Sequence, residues 1–248
     1  MDVDGNKVSV EVNQIFGNFH VLDNLSFSVR KNEFLCLVGP SGSGKTVLLQ
    51  VIAGIIPPSS GTVTIDGAPI DPRKHRLGFV FQEPSCLPWR TVWDDVKFGL
   101  EIKNLTGKEI EQKVSKVLEV VGLTGFEKYF PHQISGGMKQ RVALARALVT
   151  DPDLLLMDEP FGALDAQTRY FMEIEAQRIW EELKTTVVFV TNNVEEAVYL
   201  GERILVLSPP PARIRAEVPI DLPRPRDLTD AEFLAIRRQI TSYYEVEL

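Results

Sequence analysis

The sequence has little that would suit an oxidising compartment or a bilayer. It contains two cysteines in 248 residues, which do not make a disulfide framework. No apolar run approaches the ~20 residues of a transmembrane helix. The amino terminus, M-D-V-D-G-N-K, has no basic segment followed by an apolar block, as a signal peptide would. We therefore expect a protein of a reducing, cytosolic compartment that does not cross a bilayer by itself.

Positive charge is also in deficit. The chain carries 27 Lys and Arg against 34 Asp and Glu, a formal net charge of −7. Such a balance gives no general attraction to nucleic acid or to anionic lipid. The sequence has no internal repeat, no heptad run and no metal-spaced cysteines. What remains is an ordinary globular composition, 44% hydrophobic, with enough apolar residues for a sizeable core.

The most informative feature that is present is the segment 39–46, G-P-S-G-S-G-K-T, which we call the phosphate loop. It fits the pattern G-x-x-x-x-G-K-[ST] at every fixed position. A strand is predicted before it over 33–38, and a helix after it over 46–53 with Gly54 as its stop. Glycines let several backbone N–H groups converge on one phosphate, and the helix N-terminus adds partial positive charge. The sequence therefore predicts a nucleoside triphosphate site made of Gly39, Pro40, Ser41, Gly42, Ser43, Gly44, Lys45 and Thr46.

Hydrophobic periodicity predicts an alternation of strands and helices that a helical stretch interrupts. Strands are predicted over 8–16, 25–29, 62–65, 77–81, 154–157, 186–191 and 203–207. Between about 83 and 150 the pattern becomes helical, with helices over 106–122 and 137–149. Further helices are predicted over 166–183 and 193–201, and a last amphipathic helix begins at Thr229, with Phe233, Ile236 and Ile240 on one side.

Two acidic residues, Asp158 and Glu159, follow the apolar strand over 154–157. A buried strand of an α/β sheet delivers such carboxylates to the phosphate site at its carboxyl end. Asp158 would then belong to the shell of a Mg²⁺ ion, and Glu159 would act as general base on the attacking water. The alternative, that two acids simply begin a solvated loop, is disfavoured by the phosphate loop upstream.

The segment 134–141, I-S-G-G-M-K-Q-R, which we call the signature segment, opens a second predicted helix. Ser135, Gly136 and Gly137 place exposed backbone donors and a hydroxyl at that helix N-terminus, which suits a second anion site. An ordinary serine cap accounts for the same residues. The residues alone leave both interpretations open.

At this segment the chain closely resembles the nucleotide-binding subunits of ABC transporters, whose pattern is L-S-G-G-x-x-Q-R. The resemblance covers nearly the whole chain and includes Gln82 after a strand and Gly162-Ala163-Leu164-Asp165 after Pro160. It implies an α/β fold of the P-loop NTPase, ABC ATPase type: a RecA-like mixed-sheet core with antiparallel β strands and an inserted helical subdomain. It also implies a single ATPase domain over 1–248, with the core at 1–85 and 151–208, the helical subdomain at 86–150 and a C-terminal extension at 209–248.

The resemblance implies that ATP binds with Mg²⁺ in a sandwich dimer of two copies. Ser135, Gly136 and Gly137 of one copy would hold the γ-phosphate bound to Lys45 and Thr46 of the other. Gln82 would contact Mg²⁺ or the water and signal to the membrane partner, or it is an ordinary polar residue at a strand end. Asp165 would take part in this site, or cap the following helix, or both.

Two further positions carry open alternatives. Phe16 matches the aromatic residue that stacks on adenine in the family, but a buried strand residue explains it nearly as well. Asn192 follows the strand over 186–191, where the family has a histidine that contacts the γ-phosphate. An amide still donates a hydrogen bond but carries no positive charge. The substitution therefore concerns the rate of hydrolysis and leaves nucleotide binding in place.

Within the family, the segments at 87–92, 207–214 and 222–227 look like those of the ATPase subunits of nitrate, sulfonate and taurine importers. Such subunits pair with a separate transmembrane permease and, indirectly, with an extracytoplasmic solute-binding protein, at the cytoplasmic face of a bacterial or archaeal membrane. Leu87 and Trp89 are apolar loop residues that would suit a groove for the permease, or they pack within the helical subdomain.

Two other classes of function compete with this one. ABC ATPases of translation or of DNA repair typically have two ATPase units, coiled-coil insertions or zinc modules, and nothing in this acidic chain favours nucleic acid. A P-loop kinase of small molecules would lack residues 135–137 in this form. The resemblance implies that this subunit does not contact the transported solute, which the permease and the solute-binding protein recognise.

Overall fold

The computed structural model describes residues 5–101 and 105–245. The chain divides into two compact units, Met1–His75 with Thr185–Leu248, and Arg76–Lys184. We call these the first and the second unit. The predicted domain limits stay a prediction. They include residues 1–4, 102–104 and 246–248, which lie outside the described residues.

The helices and strands follow the predicted alternation. In chain order they are β1 (Asn6–Phe16), β2 (Phe19–Arg30), β3 (Phe34–Val38), α1 (Lys45–Ile52), β4 (Ser60–Ile65), β5 (Ala68–Pro69), β6 (Leu77–Val80), α2 (Val92–Lys97), α3 (Gly107–Val120), α4 (Gly136–Leu148), β7 (Leu154–Asp158), α5 (Ala166–Leu183), β8 (Val187–Thr191), α6 (Val194–Leu200), β9 (Arg203–Leu207), β10 (Ile214–Pro219) and α7 (Ala231–Glu245). Short 3-10 turns occupy Phe98–Leu100 and Pro131–Gln133.

The first unit contains an antiparallel sheet in the order β2-β1-β4-β5. Strands β1 and β2 form a hairpin in which Phe16 pairs with Phe19 across a two-residue turn. Gly17 has φ +58°, the left-handed conformation that such tight hairpin turns need. Alternate residues of β1, Val8, Val10 and Val12, are buried, as the period of a half-buried strand requires.

Parallel strands in the order β9-β3-β8 form the core of the first unit, and β10 lies antiparallel on β9. Every residue of β3, β8 and β9 is buried, as is typical of parallel strands covered on both faces. Val38 pairs with Thr191 on one side and with Val206 on the other. The phosphate loop, which follows Val38, and Asn192, which follows Thr191, therefore leave the sheet at the same edge.

The second unit is built on the parallel pair β6 and β7, with Val80 beside Met157. Strand β7 and helix α4 both approach Gly78 of β6 closely. A Cβ at Gly78 would lie 2.9 Å from Leu155 Cδ1 on β7 and 3.2 Å from the Ala147 carbonyl oxygen on α4. Gln82 and the pair Asp158–Glu159 follow these strands and so share one edge of this unit.

The structure corrects the predicted start of the last helix. Thr229 does not cap α7; its hydroxyl donates to the Asp227 carboxylate at 2.7 Å. Asp230 takes the capping position instead, since its carboxylate accepts from the Glu232 N–H at 2.8 Å. Asp227 forms a local side-chain turn that draws Thr229 away, which is the usual competitor of a helix cap. Phe233 and Ile240 are buried as predicted, while Ile236 is half-buried.

Within residues 5–101 and 105–245, no helix combines the length and apolar character needed to cross a membrane.

Candidate functional site

The phosphate loop connects β3 to α1, and its glycines are needed where they stand. Gly42 and Gly44 have φ of +80° and +85°, a region that side chains with a Cβ rarely adopt. A Cβ at Gly44 would also lie 2.7 Å from Val21 Cγ1, and one at Gly39 would lie 3.1 Å from Leu207 Cβ. Larger residues at 39 and 44 would push the loop away from its neighbours.

Lys45, the first residue of α1, is 95% buried and folds back onto the loop. Its ammonium donates to the carbonyl oxygens of Gly39 at 2.8 Å and Pro40 at 3.0 Å. No acidic residue lies in the first turn of α1, so no carboxylate of that turn weakens the positive end of the helix dipole. Thr46 is exposed on this first turn. The loop therefore presents a cation, backbone donors and a hydroxyl, the groups that bind a polyphosphate.

Asn192 is exposed at the same edge of the first unit, immediately after β8. The turn that carries it is fixed by its neighbours. The Asn193 N–H donates to Thr191 Oγ1 at 3.0 Å, and Asn193 Oδ1 accepts from the Glu195 and Glu196 N–H groups at 3.0 and 3.4 Å. The structure thus places Asn192 on an ordered turn beside the strand that leads into the phosphate loop.

Phe16 lies at the end of β1, next to the hairpin turn, and 45% of it is exposed. The alternative that it is a buried strand residue is wrong. An exposed ring on an ordered hairpin can stack on a base, and this role of Phe16 stays a prediction.

In the second unit, three of the predicted residues meet at the carboxyl edge of β6 and β7. Asp158 ends β7 and is buried, whereas Gln82 is exposed after β6. The Cβ position of Gly162 lies 3.4 Å from both Gln82 Nε2 and the Glu159 carbonyl oxygen. Glu159 itself has φ +42°, an uncommon conformation for a non-glycine residue. Strained backbone of this kind is found where side chains are aimed for function.

Ser135 caps α4, with its Oγ accepting from the Met138 N–H at 3.3 Å. Gly136 is exposed and Gly137 is buried against α5, where its Cβ position lies 2.8 Å from Thr168 Cγ2. The first turn of α4 carries no acidic side chain. The serine cap is therefore real, and it coexists with an open, positive helix end that can take an anion.

Asp165 caps α5 by accepting from the Thr168 N–H at 3.0 Å, and this bond holds the pKa of its carboxyl below the ordinary value. Sequence reasoning missed Arg169, one turn further on. Its guanidinium donates to the carbonyl oxygens of Phe161, Gly162 and Leu164 at 3.0–3.3 Å. Arg169 fixes the turn between Glu159 and Asp165. The only signal available in the sequence was its place within the first turn of a capped helix.

The loop that follows Gln82 is braced from beneath and exposes one large apolar side chain. The buried Asp95 accepts from the Leu87 N–H and from Arg146 Nη1, each at 2.8 Å. Trp89 is 71% exposed, so the alternative that it packs within the helical subdomain is wrong. Arg90 is held beside it by Glu101 at 2.8 Å. An exposed tryptophan on a braced loop is typical of a binding surface.

Comparison with known proteins agrees with the motifs. The family model described as "ABC transporter" matches residues 22–162. An aliphatic sulfonates import ATP-binding protein of Bacillus cereus is 42% identical over 99% of this chain and 96% of its own length. A nitrate import ATP-binding protein of Synechocystis is 42% identical over 92% of this chain and 88% of its own length.

Solved structures show the same fold. A dimeric bacterial ABC transporter cassette superposes with a TM-score of 0.73 at 31% identity, over 87% of this chain and 99% of that chain. The same cassette in a post-hydrolysis state, bound to ADP and Pi, gives a TM-score of 0.72. With the family model, the relatives, the phosphate loop and the signature segment in agreement, this chain belongs to the ABC transporter family, as an ATP-binding subunit that hydrolyses ATP.

Proposed function

We propose that this chain drives an ABC importer for a small anion of the nitrate, sulfonate or taurine type. The observation that carries the proposal is the 42% identity to a sulfonate import subunit over 99% of the chain. The likeness to a nitrate import subunit points to the same class of solute. The chain would lie at the cytoplasmic face of the membrane, bound to separate permease subunits and coupled through them to an extracytoplasmic solute-binding protein.

The residues divide the work on ATP between them. Lys45 and the backbone N–H groups that the phosphate loop presents would bind the phosphates, and Phe16 would stack on the adenine. Glu159 would accept the proton of the attacking water, and its aim is fixed by the turn that Arg169 holds. Asn192 would donate to the γ-phosphate without adding positive charge.

A divalent cation fits the donor set that the family assigns to it. Thr46, Gln82 and Asp158 offer hydroxyl, amide and carboxylate oxygens, the ligands that Mg²⁺ prefers. When bound, Mg²⁺ would neutralise charge on the β- and γ-phosphate oxygens. Asp158 is buried at the end of β7, where a carboxylate needs a cation or hydrogen-bond donors beside it.

Two copies would be needed for a complete site. The signature segment presents an exposed Ser135 and an open helix end. The phosphate loop would contribute Lys45 to one side of the triphosphate. Ser135, Gly136 and Gly137 of a second copy would close over the γ-phosphate. Asp165 would lie beside them, because its neighbours Leu164 and Thr168 lie against Gly136 and Gly137. The dimeric state of the similar cassette supports this arrangement.

The alternative is a non-transport ABC ATPase of a nucleic-acid or translation-linked complex. The net charge of −7 of this chain and its likeness to import subunits disfavour that role.

Replacing Glu159 by glutamine tests both the base and the dimer. The amide keeps the size of the side chain but cannot accept the proton, so turnover should fall by about 10²–10⁴-fold. ATP should still bind and should then hold the subunits together as a dimer on size-exclusion chromatography. Glu111→Gln, an exposed change on α3, is the matched control and should behave as the wild type. A Glu159→Gln protein that stays monomeric with saturating ATP and turns over normally would refute both roles.

A further inference from the structure

Helix α6, which follows Asn192 and Asn193, is closed at its far end by two arginines of the C-terminal segment. Arg224 Nη2 donates to the Leu200 carbonyl oxygen at 2.5 Å. Arg226 Nη1 donates at 2.6–3.0 Å to the carbonyl oxygens of Val198, Tyr199 and Gly201. The last turn of a helix leaves such carbonyls without partners inside the helix. Here the side chains of residues 224 and 226 satisfy them.

Arg226 is 93% buried, which is unusual for an arginine. It also donates to the carbonyl oxygens of Leu222 at 3.4 Å and Ile220 at 3.5 Å, in its own segment. Burial lowers the pKa of its guanidinium to about 10, which leaves it protonated at neutral pH. A cation at the carboxyl end of a helix interacts favourably with the helix dipole. Arg226 therefore joins the C-terminal segment to α6 through charged, water-excluded hydrogen bonds.

The same segment also holds the first turn of α6. Arg237, on α7, donates through Nη1 to Glu195 Oε2 at 2.5 Å. We call Arg224, Arg226 and Arg237 the clasp. Arg224 and Arg226 bind the carboxyl end of α6, and Arg237 binds its amino end. The position of this seven-residue helix is thus set from outside the nucleotide-binding motifs.

Hydrogen bonds connect α6 to the turn that carries Asn192. The Glu196 carboxylate of α6 accepts from the Thr191 hydroxyl, and Thr191 Oγ1 accepts from the Asn193 N–H at 3.0 Å. Gly201 seats the other end of the helix, since its Cβ position lies 3.0 Å from Cys36 Sγ on β3. A shift of α6 along its axis would therefore move the turn that carries Asn192.

We propose that Arg226 is a positioning residue for hydrolysis, which acts through α6 to hold Asn192 at the γ-phosphate. The proposal rests on the proposed role of Asn192. It gives the C-terminal segment a function within the ATPase cycle. The phosphate loop is held by hydrogen bonds of its own, from the Lys45 ammonium to the carbonyl oxygens of Gly39 and Pro40. Loss of the clasp should therefore change the rate of hydrolysis more than the affinity for ATP.

The test measures single-turnover hydrolysis and ATP affinity for Arg226→Met, Arg226→Lys and the control Arg238→Met. Methionine keeps an unbranched stem of similar length and removes all donors, whereas lysine restores a cation with three donors. Arg238 is an exposed arginine of α7. We expect Arg226→Met to slow hydrolysis by roughly two- to thirtyfold, with ATP affinity within about twofold of the wild type. Arg226→Lys should recover part of the rate, and Arg238→Met should match the wild type.

The same substitution in an Asn192→Ala background decides whether the effect passes through Asn192. We expect Asn192→Ala to slow hydrolysis by itself and Arg226→Met to add nothing further. Additive losses, or a folded Arg226→Met protein of normal rate, would overturn the clasp as a positioning device and leave the role of Asn192 intact. A normal rate for Asn192→Ala would instead refute the proposed role of Asn192, and the inference with it.

Loss of folding in Arg226→Met would be seen as a lowered melting temperature and would move the test to the other end of α6. The ion pair of Glu195 and Arg237 is about 40% exposed on both side chains, so its removal is tolerable for stability. Arg237→Gln should then slow hydrolysis in the wild-type background and not in the Asn192→Ala background. An equal effect in both backgrounds would refute the proposal.

Discussion

Substitution of the two neighbouring glycines of the signature segment by alanine should have different effects on stability. An added Cβ at Gly136 would meet only Leu164 Cδ2, at 3.8 Å, which is ordinary van der Waals contact. One at Gly137 would lie 2.8 Å from Thr168 Cγ2. Carbon atoms pack best at about 3.5–4.0 Å. Since the methyl belongs to a short, β-branched side chain on the first turn of α5, it cannot rotate away cheaply.

The magnitude follows from two opposing contributions. Neither glycine has a positive φ, so alanine gains up to about 1 kcal/mol of helix propensity at either position. At Gly137 the steric overlap costs about 1–3 kcal/mol. We therefore expect Gly136→Ala to leave the free energy of unfolding unchanged or slightly raised. The free energy of unfolding of Gly137→Ala should be about 1–3 kcal/mol lower than that of Gly136→Ala. For a chain of this length that difference corresponds to roughly 2–12 °C in melting temperature.

Thermal melting of the two variants, with and without Thr168→Ser, is the assay. Serine removes the opposing methyl and keeps the hydroxyl, so it should restore the stability of Gly137→Ala and leave Gly136→Ala nearly unchanged. ATP turnover measured alongside reports separately on the function of the exposed Gly136, because that variant is expected to be fully folded. Equal melting temperatures for Gly136→Ala and Gly137→Ala, or no rescue by Thr168→Ser, would mean that α4 and α5 do not approach as closely as described.

Two further predictions concern the loop after Gln82. Trp89→Ala should weaken docking to the permease in a pull-down and leave the melting temperature and ATPase rate of the isolated subunit unchanged, because 71% of the side chain is exposed. The control for loss of apolar surface is Tyr129→Ala, which changes another exposed aromatic residue. A Trp89→Ala protein that is destabilised but still assembles with the permease would contradict the prediction. Burial raises the pKa of the Cys86 thiol to about 11, so at pH 8 it should react with iodoacetamide roughly two orders of magnitude more slowly than an unperturbed cysteine of pKa about 8.5. Its rate should rise about tenfold per pH unit up to that pKa, as measured on a Cys36→Ala protein; a fast, pH-independent reaction would show that the thiol is not desolvated.

Elements with local signals were predictable from the sequence. The capping box at the start of α3 is present, with the Thr106 N–H donating to Glu109 at 2.8 Å and the Glu109 N–H donating to Thr106 Oγ1 at 3.3 Å. The predicted limits of α5 and β9 match the structure. Such signals depend only on residues a few positions apart, and these a single sequence contains.

Elements without a local signal were missed. Helix α2 has six residues, too few to show helical periodicity. Strand β10 is an edge strand that ends in Pro219, and the proline-rich sequence before it argued for irregular structure. Its existence depends on pairing with β9, which the order of residues does not show. The same holds for Arg169 and Arg226, since their bonds to backbone carbonyl oxygens leave no trace in hydrophobic patterning.

The residues of the candidate site were predictable as motifs, and their side-chain settings were not. The sequence left open whether Trp89 and Phe16 are buried or exposed, because exposure depends on which other segments cover a residue. It also gave no sign that Glu159 has a positive φ, since a glutamate carries no mark of the backbone conformation that it adopts.

Asparagine at position 192 explains why the turn that carries it would need the support of the clasp. A hydrogen bond weakens steeply outside a narrow range of distance and angle, and an asparagine side chain reaches less far than a histidine. A histidine also brings charge when protonated, which attracts a phosphate over a longer distance and tolerates some misplacement. An amide has no charge that would attract the phosphate from a distance, so its hydrogen bond to the γ-phosphate depends on where the backbone places it. A turn tied by Thr191 and Asn193 to a helix whose two ends are held by Arg226 and Arg237 is the kind of support that such a short donor requires.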